Sequence, residues 1–220
     1  MERNISLAEV SDGKLYGPND MVKVGCNDCQ GCSKCCGGMG SSITLDPLDI
    51  YRLSAKLKQS FEQMLAGFVE LNVVDGIILP NIKMAEGKDH CSFLNTEGRC
   101  SIHDARPGIC RLFPLGRFYE NETFRYFLQV HECPKENKTK IKLRKWIDTE
   151  NLQENERFVT EWHYFLKHFQ NQIMAGMDEG RTKEISLYIL NHFYIIGYDL
   201  TADFYPQFQA RLAEAKKVLK

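Results

Sequence analysis

The chain has 220 residues, the size of one large domain or of one domain with an appendage. Hydrophobic residues make up 43% and charged residues 26%, which excludes disorder over most of the length. Lys and Arg number 28 against 29 Asp and Glu, so a net charge of −1 gives no general push toward nucleic acid or an anionic membrane, and no apolar run approaches the ~18 residues of a spanning helix.

The first residues, Met1-Glu2-Arg3-Asn4-Ile5-Ser6, lack the basic-then-apolar layout of a signal peptide. The expectation is a soluble, cytoplasmic protein with neither nucleic acid nor membrane as a partner. Residues 1–25 are polar, with Gly13, Gly17 and Pro18 breaking any pattern, and read as an extended lead-in. A cysteine-rich run follows from Cys26 to Cys36, then Gly37, Gly38 and Gly40. Ser41–Leu45 reads as a short strand or extended segment. Asp46-Pro47 opens a helix, with Asp as N-cap and Pro at the first helical position, and Leu48, Tyr51, Leu53 and Leu57 give it an apolar side. A second short helix is predicted over Ser60 to Gly67.

Val69 to Pro80 reads as a hairpin, with Val and Ile runs flanking the Asp75-Gly76 turn. From Ile82 to Arg117 the texture is irregular. Phe118 to Val130 suggests another hairpin turning at Glu120-Asn121-Glu122. Pro134 to Lys145 is crowded with Lys135, Lys138, Lys140, Lys142, Arg144 and Lys145 and reads as a solvated linker or helix start, with a contact patch for an acidic partner as the sharper alternative. Three helices are then predicted from Phe158, Trp162, Phe165, Leu166, Phe169 and Ile173, from the run Ile185 to Ile196, and from Phe208, Leu212, Ala215 and Leu219. Helix packing explains these aromatic stripes better than a ligand pocket does. The fold class is α+β and helix-rich: an irregular cysteine-rich metal-binding domain with short hairpins over 1–138, then a helical C-terminal region over 139–220 packing on it.

Nine cysteines are the unusual count, and all lie between Cys26 and Cys133. An odd number without an export signal argues against a disulfide framework and for metal. Cys26, Cys29, Cys32 and Cys35 follow one another at a spacing of three, and Cys36 adjoins the last. A C-x2-C loop can turn both thiolates onto one metal, and tandem steps are the ferredoxin-like way to hold corners of an iron–sulfur cluster. Structural zinc more often uses two separated C-x2-C pairs. Cys91, Cys100, Cys110 and Cys133 are irregularly spaced, so the fold itself must bring them in. Adjacent Cys35 and Cys36 point different ways in most backbones. They could serve two metal centres, or one could ligate while the other packs.

His103, three residues after Cys100, is read as a cap or a hydrogen-bond partner more than as a ligand. Arg106, Arg111 and Arg117 surround Cys110, where guanidinium groups would offset thiolate charge or hold an anionic substrate or cofactor. Met39 stands where a radical S-adenosylmethionine site needs its third cysteine, which disfavours that class. Gly37 to Ser42 lacks the ending of a phosphate loop.

These residues resemble a known family. Cys29-x2-Cys32-x2-Cys35-Cys36, Cys91-Ser92-Phe93-Leu94, Cys100-Ser101-Ile102-His103-Asp104-Ala105-Arg106-Pro107, Cys110-Arg111-Leu112-Phe113-Pro114 and Cys133 look like the YkgJ-type cysteine cluster proteins, over about residues 26–134. The resemblance implies a zinc- or iron-chelating domain of a bacterial cytosol whose eight cysteines are Cys29, Cys32, Cys35, Cys36, Cys91, Cys100, Cys110 and Cys133. Cys26 is extra to that pattern. Flagellin lysine N-methylase is similar to the family through the same cysteine domain, which keeps an enzyme reading open. The expected cofactor is an iron–sulfur cluster, with a zinc or iron ion as the alternative. An interaction module using the helical tail is the third reading.

Overall fold

The structure, a computed structural model, describes residues 6–26, 29 and 32–220; the start of the lead-in and the residues between the first cysteines lie outside that set. It is 43% helical, with small antiparallel strand pairs, so the α+β class holds. A short helix α1 (Leu7–Val10) precedes strand β1 (Met21–Gly25). Helix α2 (Pro47–Leu57) begins at Asp46, which accepts from the Asp49 amide at 2.8 Å while Asp49 accepts from the Asp46 amide at 3.1 Å. This reciprocal pair satisfies two amides that no helical carbonyl can reach. Ser60 caps α3 (Phe61–Leu65) in the same way with Gln63.

Strands β2 (Val69–Val74) and β3 (Ile77–Ile82) form the expected hairpin. Its turn residues Asp75 and Gly76 have φ of 50° and 88°. Gly76 is required twice over, because a Cβ there would lie 2.5 Å from Ile173 Cγ2. Ser41–Leu45 adds its extended backbone to the hairpin's edge: Ile82 N–H donates to Ile43 O at 3.0 Å and Leu45 N–H to Pro80 O at 2.8 Å.

After the irregular stretch come α4 (Gly108–Leu112) and a second hairpin, β4 (Leu115–Glu120) with β5 (Thr123–Leu128), three residues earlier than its sequence start suggests. The lysine-rich stretch is more ordered than a linker. Its Thr139–Lys142 is strand β6, antiparallel to β1, and α5 (Leu143–Ile147) follows directly. The lead-in is therefore partly a strand, held by a partner from the far side of the cysteine region.

Helices α6 (Leu152–Met174), α7 (Glu179–Leu190) and α8 (Phe204–Val218) complete the chain, with a π-helical turn at Asn191–Ile195 between the last two. No helix among the described residues is long and apolar enough to cross a membrane.

Two apolar clusters organise these elements. In the larger, Phe158, Trp162, Phe165 and Phe169 of α6 meet Phe193 and Phe208, and α2, α3 and the first hairpin close over them. Trp162 and Phe193 ring centroids are 4.8 Å apart, and Phe158 and Phe208 are 4.6 Å apart. Tyr194, fully enclosed, donates to Leu45 O at 3.1 Å, tying the helical region to the segment before α2. The smaller cluster joins Val22, Val24, Leu112, Leu115, Tyr126, Leu143 and Ile147. The aromatic stripes are thus core, as packing alone requires. The cysteine segment sits between the clusters: Cys91 belongs to the larger, and Leu112, two residues after Cys110, to the smaller.

Candidate metal centre

Backbone pairing gathers the cysteines that sequence spacing leaves apart. The 3-10 turn Lys34–Cys36 runs into Gly37, which bridges antiparallel to His90. Cys91 N–H donates to Cys36 O at 2.7 Å, so these two residues are neighbours across strands. A tight loop then returns the chain: Leu94 N–H bonds Cys91 O at 3.0 Å, Leu94 bridges to Cys100, and Ser101 N–H bonds Phe93 O at 2.8 Å. Cys36, Cys100 and Cys110 all pack against the cluster that contains Cys91.

Cys110 is carried on α4, whose first turn is fixed from α2: Asp49 Oδ1 accepts from Gly108 N–H at 2.8 Å. Asp49 is 2% exposed, and burial, then the neighbouring Asp46 carboxylate, push it up to about 7. Burial first, and the Asp49 charge second, push the Cys110 thiol up as well. Sequence reasoning missed this carboxylate. Its signal was the spacing of three from the Asp46 cap, which reads as a capping box with Asp in the place of Glu.

The thiols also act on one another. Cys35 donates to Cys36, which raises Cys35 and lowers Cys36. Burial raises Cys91 and Cys100, each partly offset by an amide aimed at its sulfur, Phe93 N–H and Ile102 N–H respectively. The Arg106 guanidinium lies near Cys35 and Cys100 and favours their thiolates. Its Nη1 also contacts the His103 ring, 3.1 Å from Nδ1. Arg111 is directed elsewhere: Nε to Arg106 O at 3.1 Å, Nη1 to Asp148 O at 3.0 Å, and Nη2 to Asp104 O. Those bonds clamp α4 to the preceding turn and to the end of α5.

A second gathering lies at the strand end. Cys26 directly follows β1, and its Sγ is 3.5 Å from Cys29 Sγ. Cys32 N–H donates to Cys29 O at 2.9 Å, the turn that a C-x2-C step needs. Burial, then the hydrogen bond with Cys26, push Cys29 up to about 12, and Cys35 and Cys133 add to that field. In the segment before β6, Lys138 Nζ donates to Cys133 O at 3.0 Å.

All nine cysteines are free of disulfides. Among the described residues, no group of three or more His, Cys, Asp or Glu side chains stands close enough together to hold a metal ion. The donor set nonetheless fits a thiophilic cation in its chemistry: soft sulfur ligands, amides and a guanidinium directed at them, and mutual repulsion that a positive ion would relieve.

Residues 28–134 match the family model CxxCxxCC, described as "Putative zinc- or iron-chelating domain". No curated protein and no solved structure matches the chain.

Proposed function

Residues 28–134 belong to the CxxCxxCC family of zinc- or iron-chelating domains, and from that premise we propose that Cys29, Cys32, Cys35, Cys36, Cys91, Cys100, Cys110 and Cys133 supply the ligands and that an iron–sulfur cluster is the principal cargo. The observation that carries this reading is the packing of Cys36, Cys100 and Cys110 against the apolar cluster that contains Cys91, with Cys91 N–H bonded to Cys36 O at 2.7 Å and amide N–H groups directed at two of the four sulfurs. All-thiolate sites with N–H donors to sulfur suit iron–sulfur chemistry, because the cluster's charge is spread over its sulfurs. Arg106 adds positive charge at the same place, and Arg111 holds the scaffold around it. Free thiols in this number fit a reducing compartment, and we assign the protein to the cytoplasm on that ground.

The centre's work is first structural. Between β3 and α4 the chain has little regular structure of its own, so ligation supplies folding energy there. The helical region 139–220 packs on this domain and gives it a rigid back. Anaerobic purification followed by assay of iron, zinc and acid-labile sulfide tests the proposal. Iron and sulfide in comparable amounts are expected; zinc without iron or sulfide overturns the cluster reading.

Proton competition gives a second test. Cys91, Cys100 and Cys110 are raised, so they hold their protons in the metal-free protein, whereas Cys36 is lowered. A cation must displace at least three protons, and acid therefore favours the free form. The logarithm of the affinity for zinc as a probe ion is expected to fall by about 3 per pH unit between about pH 8 and pH 6. Competition against a chromophoric chelator measures the slope; a pH-independent affinity would contradict ligation by these thiols.

A further inference from the structure

We propose that the nine cysteines divide into two metal centres: an inner one formed by Cys36, Cys91, Cys100 and Cys110, and an outer one formed by Cys26, Cys29, Cys32 and Cys133, with Cys35 between them. This inference rests on the chelation reading above and adds a ligand, Cys26, that the eight-cysteine pattern omits.

The backbone makes the division. The inner four are linked by the Gly37–His90 bridge, the Cys91 to Cys36 hydrogen bond and the loop that closes Leu94 onto Cys100. They also share one apolar cluster. Of the outer four, Cys26 directly follows β1, and the Cys133 segment leads into β6. Gly25 pairs with Thr139, and the approach is so close that a Cβ at Gly25 would lie 2.3 Å from Thr139 Oγ1. Glycine directly before Cys26 thus lets the two strands come together at the end from which Cys26 and the Cys133 segment both extend. Lys138, one residue before β6, holds the Cys133 carbonyl.

Cys35 and Cys36 are consecutive in the 3-10 turn, and their side chains are hydrogen-bonded to each other. Cys36 lies in the field of Cys91, Cys100 and Cys110, and Cys29 in that of Cys26 and Cys133. Cys35 is felt on both sides.

The ligand class differs between the two. Four thiolates ~2.3 Å from one tetrahedral ion stand about 3.8 Å apart. The Cys26–Cys29 sulfur separation of 3.5 Å approaches that edge. Cysteines on separate irons of a cluster stand farther apart, because each caps its own iron. The outer centre therefore suits a single thiophilic divalent ion such as zinc, and the inner centre the larger cargo.

The test uses the full chain purified anaerobically, with iron, sulfide and zinc assayed in parallel. Wild type is expected to carry iron and sulfide together with about one zinc ion per chain. Cys26→Ser and Cys133→Ser are expected to lose the zinc and keep the iron, sulfide and visible absorption; Cys110→Ser should do the reverse. Loss of all metals together from a Cys26→Ser chain with wild-type helix content, or an unchanged metal complement in it, overturns the division. Should Cys110→Ser not fold, cobalt(II) titration of metal-free wild type decides: two spectrally separate thiolate-bound steps are expected, and a single step overturns the proposal. Two zinc ions lost independently would sink the cluster reading and leave the division standing. One metal complement lost by every variant alike would sink the division and leave chelation standing.

Discussion

Cys100→Ala is expected to lower the stability of the metal-loaded protein by about 5 kcal/mol, a fall of roughly 10–20 °C in Tm for a chain of this size. The reason lies in what else holds the segment around Cys100. Between β3 and α4 the chain closes on itself through single bonds such as Ser92 N–H to Lys83 O at 3.2 Å and Ala85 N–H to His90 O at 2.8 Å. Such isolated bonds contribute about 1 kcal/mol each, too little to offset the entropy of ordering the roughly 25 residues from 83 to 107. A fourth ligand missing from the inner centre weakens the ion's hold on Cys36, Cys91 and Cys110 at once. The helices α6 to α8 keep their own aromatic core, so far-ultraviolet circular dichroism should change little while amides of the cysteine segment lose protection from hydrogen exchange. Cys26→Ala should cost less than Cys100→Ala, because the β1 residues just before it, Val22 and Val24, stay buried in the smaller apolar cluster without the outer centre. Thermal melts of the two variants, purified anaerobically, check the contrast; equal losses would contradict the ranking.

Asp49→Ala is expected to cost about 3–4 kcal/mol. The side chain satisfies two backbone amides: its Oδ2 receives the Asp46 amide at the start of α2, and its Oδ1 receives the Gly108 amide at the start of α4. Alanine leaves both amides without an acceptor in a site that is 2% exposed in the native protein. Each orphaned amide costs about 1–3 kcal/mol. The consequence reaches the metal, since α4 carries Cys110. Zinc affinity measured by chelator competition should therefore fall together with stability in Asp49→Ala, although Asp49 is not a ligand. Asp49→Asn retains one acceptor and should recover about half of the lost stability. A full loss of stability with unchanged metal affinity would show that Asp49 does not position Cys110.

Much of the first half of the fold is legible locally. Asp46-Pro47, Ser60 and Asp75-Gly76 specify a cap, a cap and a turn through their own hydrogen bonds and φ angles, and each sits where its residues demand. The aromatic periodicity after residue 150 likewise reports its burial. What escapes sequence reading is pairing at long range. Met21–Gly25 offers only two buried residues, Val22 and Val24, and its partner β6 is written mostly in lysine and threonine, which resembles a linker until the strands meet.

The site divides in the same way. The thiophilic character of the Cys29 to Cys36 run is visible in its spacing, whereas the return of Cys91 and Cys100 depends on a loop closed by bonds that no motif encodes. Arg111 shows the opposite failure. Beside a cysteine it reads as a charge meant for a ligand, and its three nitrogens are engaged by main-chain carbonyls. Cys26 falls outside the family pattern, and only the β1–β6 ladder shows why it stands beside Cys29.

X-ray absorption at the zinc and iron edges of protein purified under exclusion of oxygen tests the convergence of these sulfurs most directly. A first shell of about four sulfur atoms near 2.3 Å is expected around zinc, with an all-sulfur shell around iron. A shell dominated by nitrogen or oxygen at about 2.0–2.1 Å would contradict the account.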